Sequence, residues 1–190
     1  MTSQNTPLDF AGRVAIVTGA ARGLGRAAVL RLHERGASVA INARDAERAG
    51  ELADALGERG LAAHGDVAED GVPEELVRLT LARFGRVDIL VNNAAMARST
   101  RFGDLRAEEW RETVEVNLTA PFLMTKAVLP IMQTQRYGRI INISSSAGRM
   151  VSRLGGAHYT ASKAGLLGLT RARRKNLAPS ALRLTRSARA

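Results

Sequence analysis

The chain has 190 residues, 45% hydrophobic and 24% charged, with 18 glycines, a composition that fits one globular domain and excludes fibrous and disordered classes. It has no cysteine, which excludes disulfides, thiolate catalysis and cysteine-ligated metal, and His33, His64 and His158 have no metal-ligand spacing. The net charge of +10 raises nucleic acid as a partner, yet seven basic residues and no acid lie in 171–190, and without them the excess is +3. That tail has no aromatic group to stack on bases, so no nucleic-acid partner is expected. No apolar run approaches the roughly 20 residues of a membrane span, and the start, MTSQNTPLDF, lacks a secretory layout; a cytoplasmic protein without a membrane partner is expected.

Short β-branched runs alternate with longer helical stretches. Strands are expected at Arg13–Thr18, Ser38–Asn42, Leu61–His64, Asp88–Asn92 and Arg139–Ile143, mostly as continuous apolar runs, the pattern of strands covered on both faces. Helices are expected near 23–35, 45–57, 73–83, 106–134 and 158–177. Leu30, Leu32, Leu52 and Leu56 supply apolar positions at helical period, and Pro73 suits a first helical turn. This order predicts an α/β, doubly wound parallel sheet (Rossmann-like) in three αβα layers. Such sheets bind ligands beyond the carboxyl ends of their strands, which points to the loops at 18–25, 43–45, 65–67, 92–97 and 143–157.

The first strand runs into Thr18-Gly19-Ala20-Ala21-Arg22-Gly23-Leu24-Gly25 and then a helix. Glycines let a phosphate approach the backbone, and a helix amino end offers free N–H groups and a positive dipole end, so a nucleotide phosphate is favoured over a packing turn. NAD sites usually place an acid at the end of the second strand; here Ala43 is followed by Arg44, with Arg22 in the glycine turn. Two guanidinium groups suit a 2′-phosphate, which favours NADP(H) over NAD(H). Farther on, Tyr159 and Lys163 stand four apart on one helix face. A phenol titrates near 10, and a neighbouring ammonium lowers that value toward the range of acid–base chemistry. Ser144, Ser145 and Ser146 end the last apolar strand, either to bond a substrate oxygen or to cap a turn.

Together these features resemble the short-chain dehydrogenase/reductase family over about residues 10–179. TGAARGLG is similar to the family's Thr-Gly-x-x-x-Gly-x-Gly, Asp66-Val67 to its adenine-contacting pair, and Asn92-Asn93-Ala94-Ala95 to its Asn-Asn-Ala-Gly, with alanine for glycine. The resemblance implies a catalytic set of Asn117, Ser145, Tyr159 and Lys163. It implies a cofactor set of Gly19, Arg22, Gly23, Leu24, Gly25, Arg44, Asp66, Val67, Asn93 and Ala94 with Tyr159 and Lys163. Gly148 selects Ser145 and Tyr159 selects Ser146 as the active serine; Ser145 is chosen because backbone geometry fixes its register at the strand end, and a loop absorbs one extra residue. The implied reaction passes hydride between NADP(H) and a small-molecule carbonyl or secondary alcohol, most like 3-oxoacyl-(acyl-carrier-protein) reductases and related alcohol or sugar dehydrogenases. Met96, Met150, Leu154 and His158 are candidates for a substrate wall, with packing or solvated roles open for each.

The family continues with further strands after the catalytic helix, and none is recognisable here, so the sheet is expected to lack its last strands. One added base turns a back-translation of residues 180–190, SALRLTRSARA, into FGITVNAIGAG, which resembles the missing sixth strand and turn. Residues 1–179 are therefore expected to form the dinucleotide-binding domain and 180–190 an aberrant basic tail from a frameshift. The family's homo-tetramers use the helices bearing Asn117 and Tyr159, and Arg173, Arg174 and Lys175 weigh against that assembly here. The alternatives to an enzyme are a catalytically incompetent nucleotide-binding remnant and a protein that interacts through its basic tail.

Overall fold

The computed structural model describes residues 9–150, 155–176 and 182–184. The elements, in chain order, are β1 (Val14–Val17), α1 (Gly23–Glu34), β2 (Ser38–Ala43), α2 (Ala46–Leu56), β3 (Gly60–His64), α3 (Val72–Phe84) and β4 (Ile89–Asn92). They continue with α4 (Ala107–Val114), a π-helical turn at Glu115–Thr119, α5 (Ala120–Thr134), β5 (Gly138–Asn142), α6 (Ala157–Asn176) and β6 (Leu182–Leu184). All strand pairs are parallel, in the order β3-β2-β1-β4-β5-β6.

The alternating pleat of β1 explains the three layers. Ala15 and Val17 face a core with Val39, Ile41, Val29, Leu52 and Leu56, which seats α1 and α2. Ile16 faces the opposite core with Leu90, Ile140, Leu76, Met124, Val128 and Met132, which seats α3 and α5. Both faces are therefore sealed by helices, as the continuous apolar runs require.

Two elements differ from the sequence reading. The stretch 106–134 is divided by the π-helical turn between α4 and α5. Pro121 lacks the N–H that an α-helix would donate to the Asn117 carbonyl four residues back, so the ladder is interrupted there. The sheet, expected to end at β5, carries the short β6, whose three residues pair with Gly138, Arg139 and Ile140. That pairing covers part of an apolar edge that would otherwise offer unpaired N–H and C=O groups.

At the amino ends of the strands, the fully buried Asp88 ties three of them together. Its carboxylate accepts from Val14 N (3.0 Å), Arg13 Nη1 (2.9 Å) and Arg86 Nε and Nη2 (both 2.7 Å), and its own carbonyl accepts from Arg139 N (2.8 Å). Arg13 also stacks 3.8 Å from the centroid of Tyr137. Burial pushes the Asp88 carboxyl up, but the bonds from Arg86, Val14 and Arg13 outweigh it and hold it below the usual range. A lowered folded value means that this stabilisation is present above the unfolded value near 4 and is lost as pH falls through the folded one. Asp88→Asn should therefore cost about 3–5 kcal/mol at pH 7, by urea unfolding, and should flatten the loss of stability as pH falls below about 4.

Candidate active site

The chain leaves β1 through Gly19, at φ +61°, where an added Cβ would lie 2.7 Å from the Ala94 Cα. Gly25 allows α1 to approach this turn: a Cβ there would meet Asn93 Nδ2 and the Gly19 carbonyl at 2.5 Å each. The turn is braced from β4. Asn93 N and Ala94 N donate to Thr18 Oγ1 (3.0 and 3.1 Å), and Asn93 Nδ2 donates to the carbonyls of Thr18 (3.0 Å) and Gly19 (2.9 Å).

These contacts hold open a cleft of about 430 Å³ along the carboxyl ends of β1, β2, β3 and β4. Gly19, Arg22, Leu24, Gly25, Arg44, Asp66, Val67, Asn93 and Ala94 all line it, as do Asp45, Arg48 and Met96. Arg22, the residue before α1, is extended and makes no side-chain cap, and no acid lies in the first helical turn. The first N–H groups of α1 thus keep their capacity for an anion. With this donor set and the arginines on the rim, the cleft suits an anionic dinucleotide.

The side of the cleft at the ends of β2 and β3 is rich in guanidinium groups with unequal freedom. Arg48 is held by Asp45 (Nε–Oδ2 3.2 Å), whose other oxygen caps α2 by accepting from Arg48 N at 3.1 Å. Arg44 lies 3.7 Å from Asp66, itself bonded to Ala68 N at 3.0 Å. Arg22 is exposed and has no ion pair among the described residues.

Outside the residues that line this cleft, the loop after β5 carries the serines and α6 carries Tyr159 and Lys163. Lys163 is 3% exposed; its Nζ donates to the Ile143 carbonyl (2.9 Å) and lies 5.8 Å from the centroid of the Tyr159 ring. Ser144 Oγ donates back to the Lys163 carbonyl at 3.2 Å, so β5 and α6 are stitched in both directions. Desolvation brings Lys163 down from 10.5 to about 8. Ser145 is half-buried and its Oγ accepts from Ala147 N at 3.2 Å, which leaves its hydroxyl proton free to donate, whereas Ser146 is exposed. Asn117, fully buried in the π-helical turn, accepts from Met96 N and donates to Met96 O, both at 2.8 Å.

Of the candidates for the substrate wall, Met96 lines the cleft and Met150 is exposed, while Leu154 lies outside the described residues, as do the side chains of Arg173, Arg174 and Lys175. His158, in the first turn of α6, takes the packing role of the readings left open: it is fully buried, with Nε2 3.3 Å from Glu109 Oε1. Sequence reasoning missed Ser162, which bonds Asn117, and the buried ladder in which Asn92 donates to Asn142 (2.8 Å) and Asn142 to Thr170 (2.9 Å). Polar residues ending two adjacent apolar strands were the available signal for the ladder.

The model of the short chain dehydrogenase family matches residues 13–187. The chain is 41% identical over 170 residues to a 3-oxoacyl-(acyl-carrier-protein) reductase of Synechocystis sp., covering 87% of this chain and 68% of that protein. It is 39% identical over 171 residues to the 3-oxoacyl-(acyl-carrier-protein) reductase FabG of Escherichia coli, covering 90% and 70%. It is 43% identical over 171 residues to the (2S)-((R)-hydroxy(phenyl)methyl)succinyl-CoA dehydrogenase subunit BbsD of Thauera aromatica, covering 87% and 67%. The chain belongs to the short chain dehydrogenase family, an oxidoreductase family that uses NAD(P). Among the described residues no helix is long and apolar enough to cross a membrane.

Holding an ammonium at Lys163 costs stability, and that cost is measurable. A displacement from 10.5 to about 8 corresponds to about 3 kcal/mol, and the bond to Ile143 returns about 1. Lys163→Met should therefore be more stable than the native chain by about 2 kcal/mol at pH 7. Between pH 8 and 10.5 the unfolded chain binds more protons at this lysine, so the native chain recovers about 3 kcal/mol and the variant's advantage should be lost. Urea unfolding at pH 7 and pH 10 checks both halves.

Proposed function

We propose that the protein is an NADP(H)-dependent oxidoreductase that interconverts a small-molecule carbonyl and its secondary alcohol, with Ser145, Tyr159, Lys163 and Asn117 as its catalytic set. The observation that carries the reading is the buried Lys163, whose Nζ donates to the Ile143 carbonyl and lies 5.8 Å from the centroid of the Tyr159 ring. The bound nicotinamide supplies the hydride. Gly19, Arg22, Gly23, Leu24 and Gly25 would hold the pyrophosphate, Asp66 and Val67 the adenine, and Asn93, Ala94, Tyr159 and Lys163 the nicotinamide half. Arg22 and Arg44 would hold a 2′-phosphate.

In reduction, the Ser145 hydroxyl donates to the substrate oxygen and fixes it against Tyr159, which delivers the proton. The Lys163 ammonium stabilises the phenolate left behind, and Asn117 supports the return of a proton to this pair. Oxidation runs the same transfers in reverse. Asp45, the acid nearest the end of β2, has its carboxylate committed to Arg48, which supports NADP(H) over NAD(H). The names of the relatives make a 3-oxoacyl thioester the first substrate to try.

Fluorescence titration with NADPH and NADH, together with a ketone or 3-oxoacyl thioester reduction assay, tests the proposal. NADPH should bind at least tenfold more tightly than NADH, and Arg44→Ser should erase most of that difference. Tyr159→Phe should lower kcat about a thousandfold while weakening NADPH binding far less. Because the Lys163 ammonium is lost as pH rises through about 8, kcat/KM for reduction should fall above that pH. Binding of NADPH without turnover would mean a nucleotide-binding remnant, and neither binding nor turnover would end the reading altogether.

A further inference from the structure

Ser162 lies between Tyr159 and Lys163 on the inner side of α6, 1% exposed, and is not part of the catalytic set proposed above. Its hydroxyl is used in both directions. It donates to the Tyr159 carbonyl at 2.8 Å and accepts from Asn117 Nδ2 at 3.1 Å. Asn117 has its other amide hydrogen on Met96 O and its Oδ1 under Met96 N, both at 2.8 Å. A continuous hydrogen-bonded path therefore crosses three separate segments: the cleft loop at Met96, the π-helical turn at Asn117 and the first turns of α6.

We propose that Ser162 is a positioning residue that holds the Tyr159 turn of α6 in register with Asn117 and the cleft loop, through the Met96–Asn117–Ser162–Tyr159 hydrogen bonds. The polarity of the path is fixed. Asn117 Nδ2 is a donor, so it needs an acceptor on α6, and Ser162 can accept while its own proton satisfies Tyr159 O. The Tyr159 carbonyl is a poor substitute, because α6 already needs it within the helical ladder at Lys163. Packing brings the two elements close without giving direction: Gly165, one turn on, lies against Leu118, where an added Cβ would come within 2.8 Å of Leu118 Cδ2. The hydroxyl converts this apolar touch into a directional one. Its removal leaves a buried Asn117 N–H without a partner, and the amide must shift away from Met96 to find one.

The role proposed for Ser162 rests on the reading of Asn117 and Tyr159 as catalytic, and two independent readouts separate the two ideas. Residue-resolved amide hydrogen exchange on the cofactor-free full chain needs no activity. In Ser162→Ala, exchange at Met96 should be at least tenfold faster, with the rest of α6 unchanged. Ser162→Thr, which keeps the hydroxyl, should restore protection at Met96. Thr170→Val removes another hydroxyl from the same helix and should leave Met96 as in the native chain. Ser162→Cys, nearly isosteric and a poor acceptor, gives the same measurement where the alanine variant does not fold. In the reduction assay Ser162→Ala should lose about tenfold in kcat at unchanged KM for NADPH. Unchanged exchange at Met96 overturns the proposal, whatever Tm does. A native chain without turnover overturns the catalytic reading instead, and Met96 exchange then still decides whether Ser162 couples the segments.

Discussion

The seam between β1 and β4 is the constraint on which the site depends. The two strands are neighbours in the sheet although more than seventy residues apart in sequence, with Ile16 opposite Leu90 and Val17 opposite Val91. From β1 the chain winds outward through β2 and β3, and from β4 it winds the other way through β5, so the loops after them diverge to opposite sides. A gap at that switch point is unavoidable. What the sequence adds is the means of holding the gap at a useful width: Thr18 receives two backbone N–H groups from the β4 side, and Asn93 returns its amide to the turn after β1. The glycines follow from this bridge, since Gly19 and Gly25 sit where Ala94 and Asn93 leave no room for a Cβ.

The two ends of the sheet handle buried charge in opposite ways. At the amino ends, Asp88 is surrounded by two guanidinium groups and a backbone N–H, and its charge stabilises the fold. At the carboxyl ends, Lys163 is as deeply buried but is offered only a carbonyl oxygen, and desolvation governs its titration. A protein under selection for stability alone would resolve the second case as it resolved the first, or replace the lysine with an apolar residue. The contrast within one sheet is a physical reason to place chemistry at the Lys163 end and structure at the Asp88 end.

What was legible in the sequence is what local rules determine. Five apolar runs, a glycine turn opening a helix, and Tyr159 one turn from Lys163 follow from pleat, dihedral freedom and helical period, and the fold places them as those rules require. The parts that escaped depend on partners distant in sequence. Pro121 was visible, but that it would interrupt the helix at Asn117 rather than begin a new one depends on Met96 and Ser162 closing over the Asn117 amide. The three serines look alike as letters; only the approach of α6 gives Ser144 to the Lys163 carbonyl and leaves Ser146 in solvent. His158 stayed open between a pocket wall and packing for the same reason, since nothing beside it in the chain reveals Glu109 next to its ring. β6 was not expected because three residues with two leucines carry no strand signal of their own; an open edge at β5 supplies the pairing.

Cofactor choice shows how capping and specificity draw on the same residues. An acid at the end of β2 would favour ribose hydroxyls over a phosphate, and Asp45 stands two residues past Ala43 on the cleft wall. Its carboxylate, however, satisfies the α2 amino end and the Arg48 guanidinium together. To reach a ribose it would have to leave Arg48 N without its cap, at a cost of about 1 kcal/mol. Arg44 is in the reverse position: its partner, Asp66, is 3.7 Å away and already accepts from Ala68 N, so the guanidinium can turn outward with little loss. Helix capping therefore withdraws the negative group from the β2 end of the cleft, while loose pairing keeps the positive one available, and this contrast is the electrostatic ground for the NADP(H) preference proposed above.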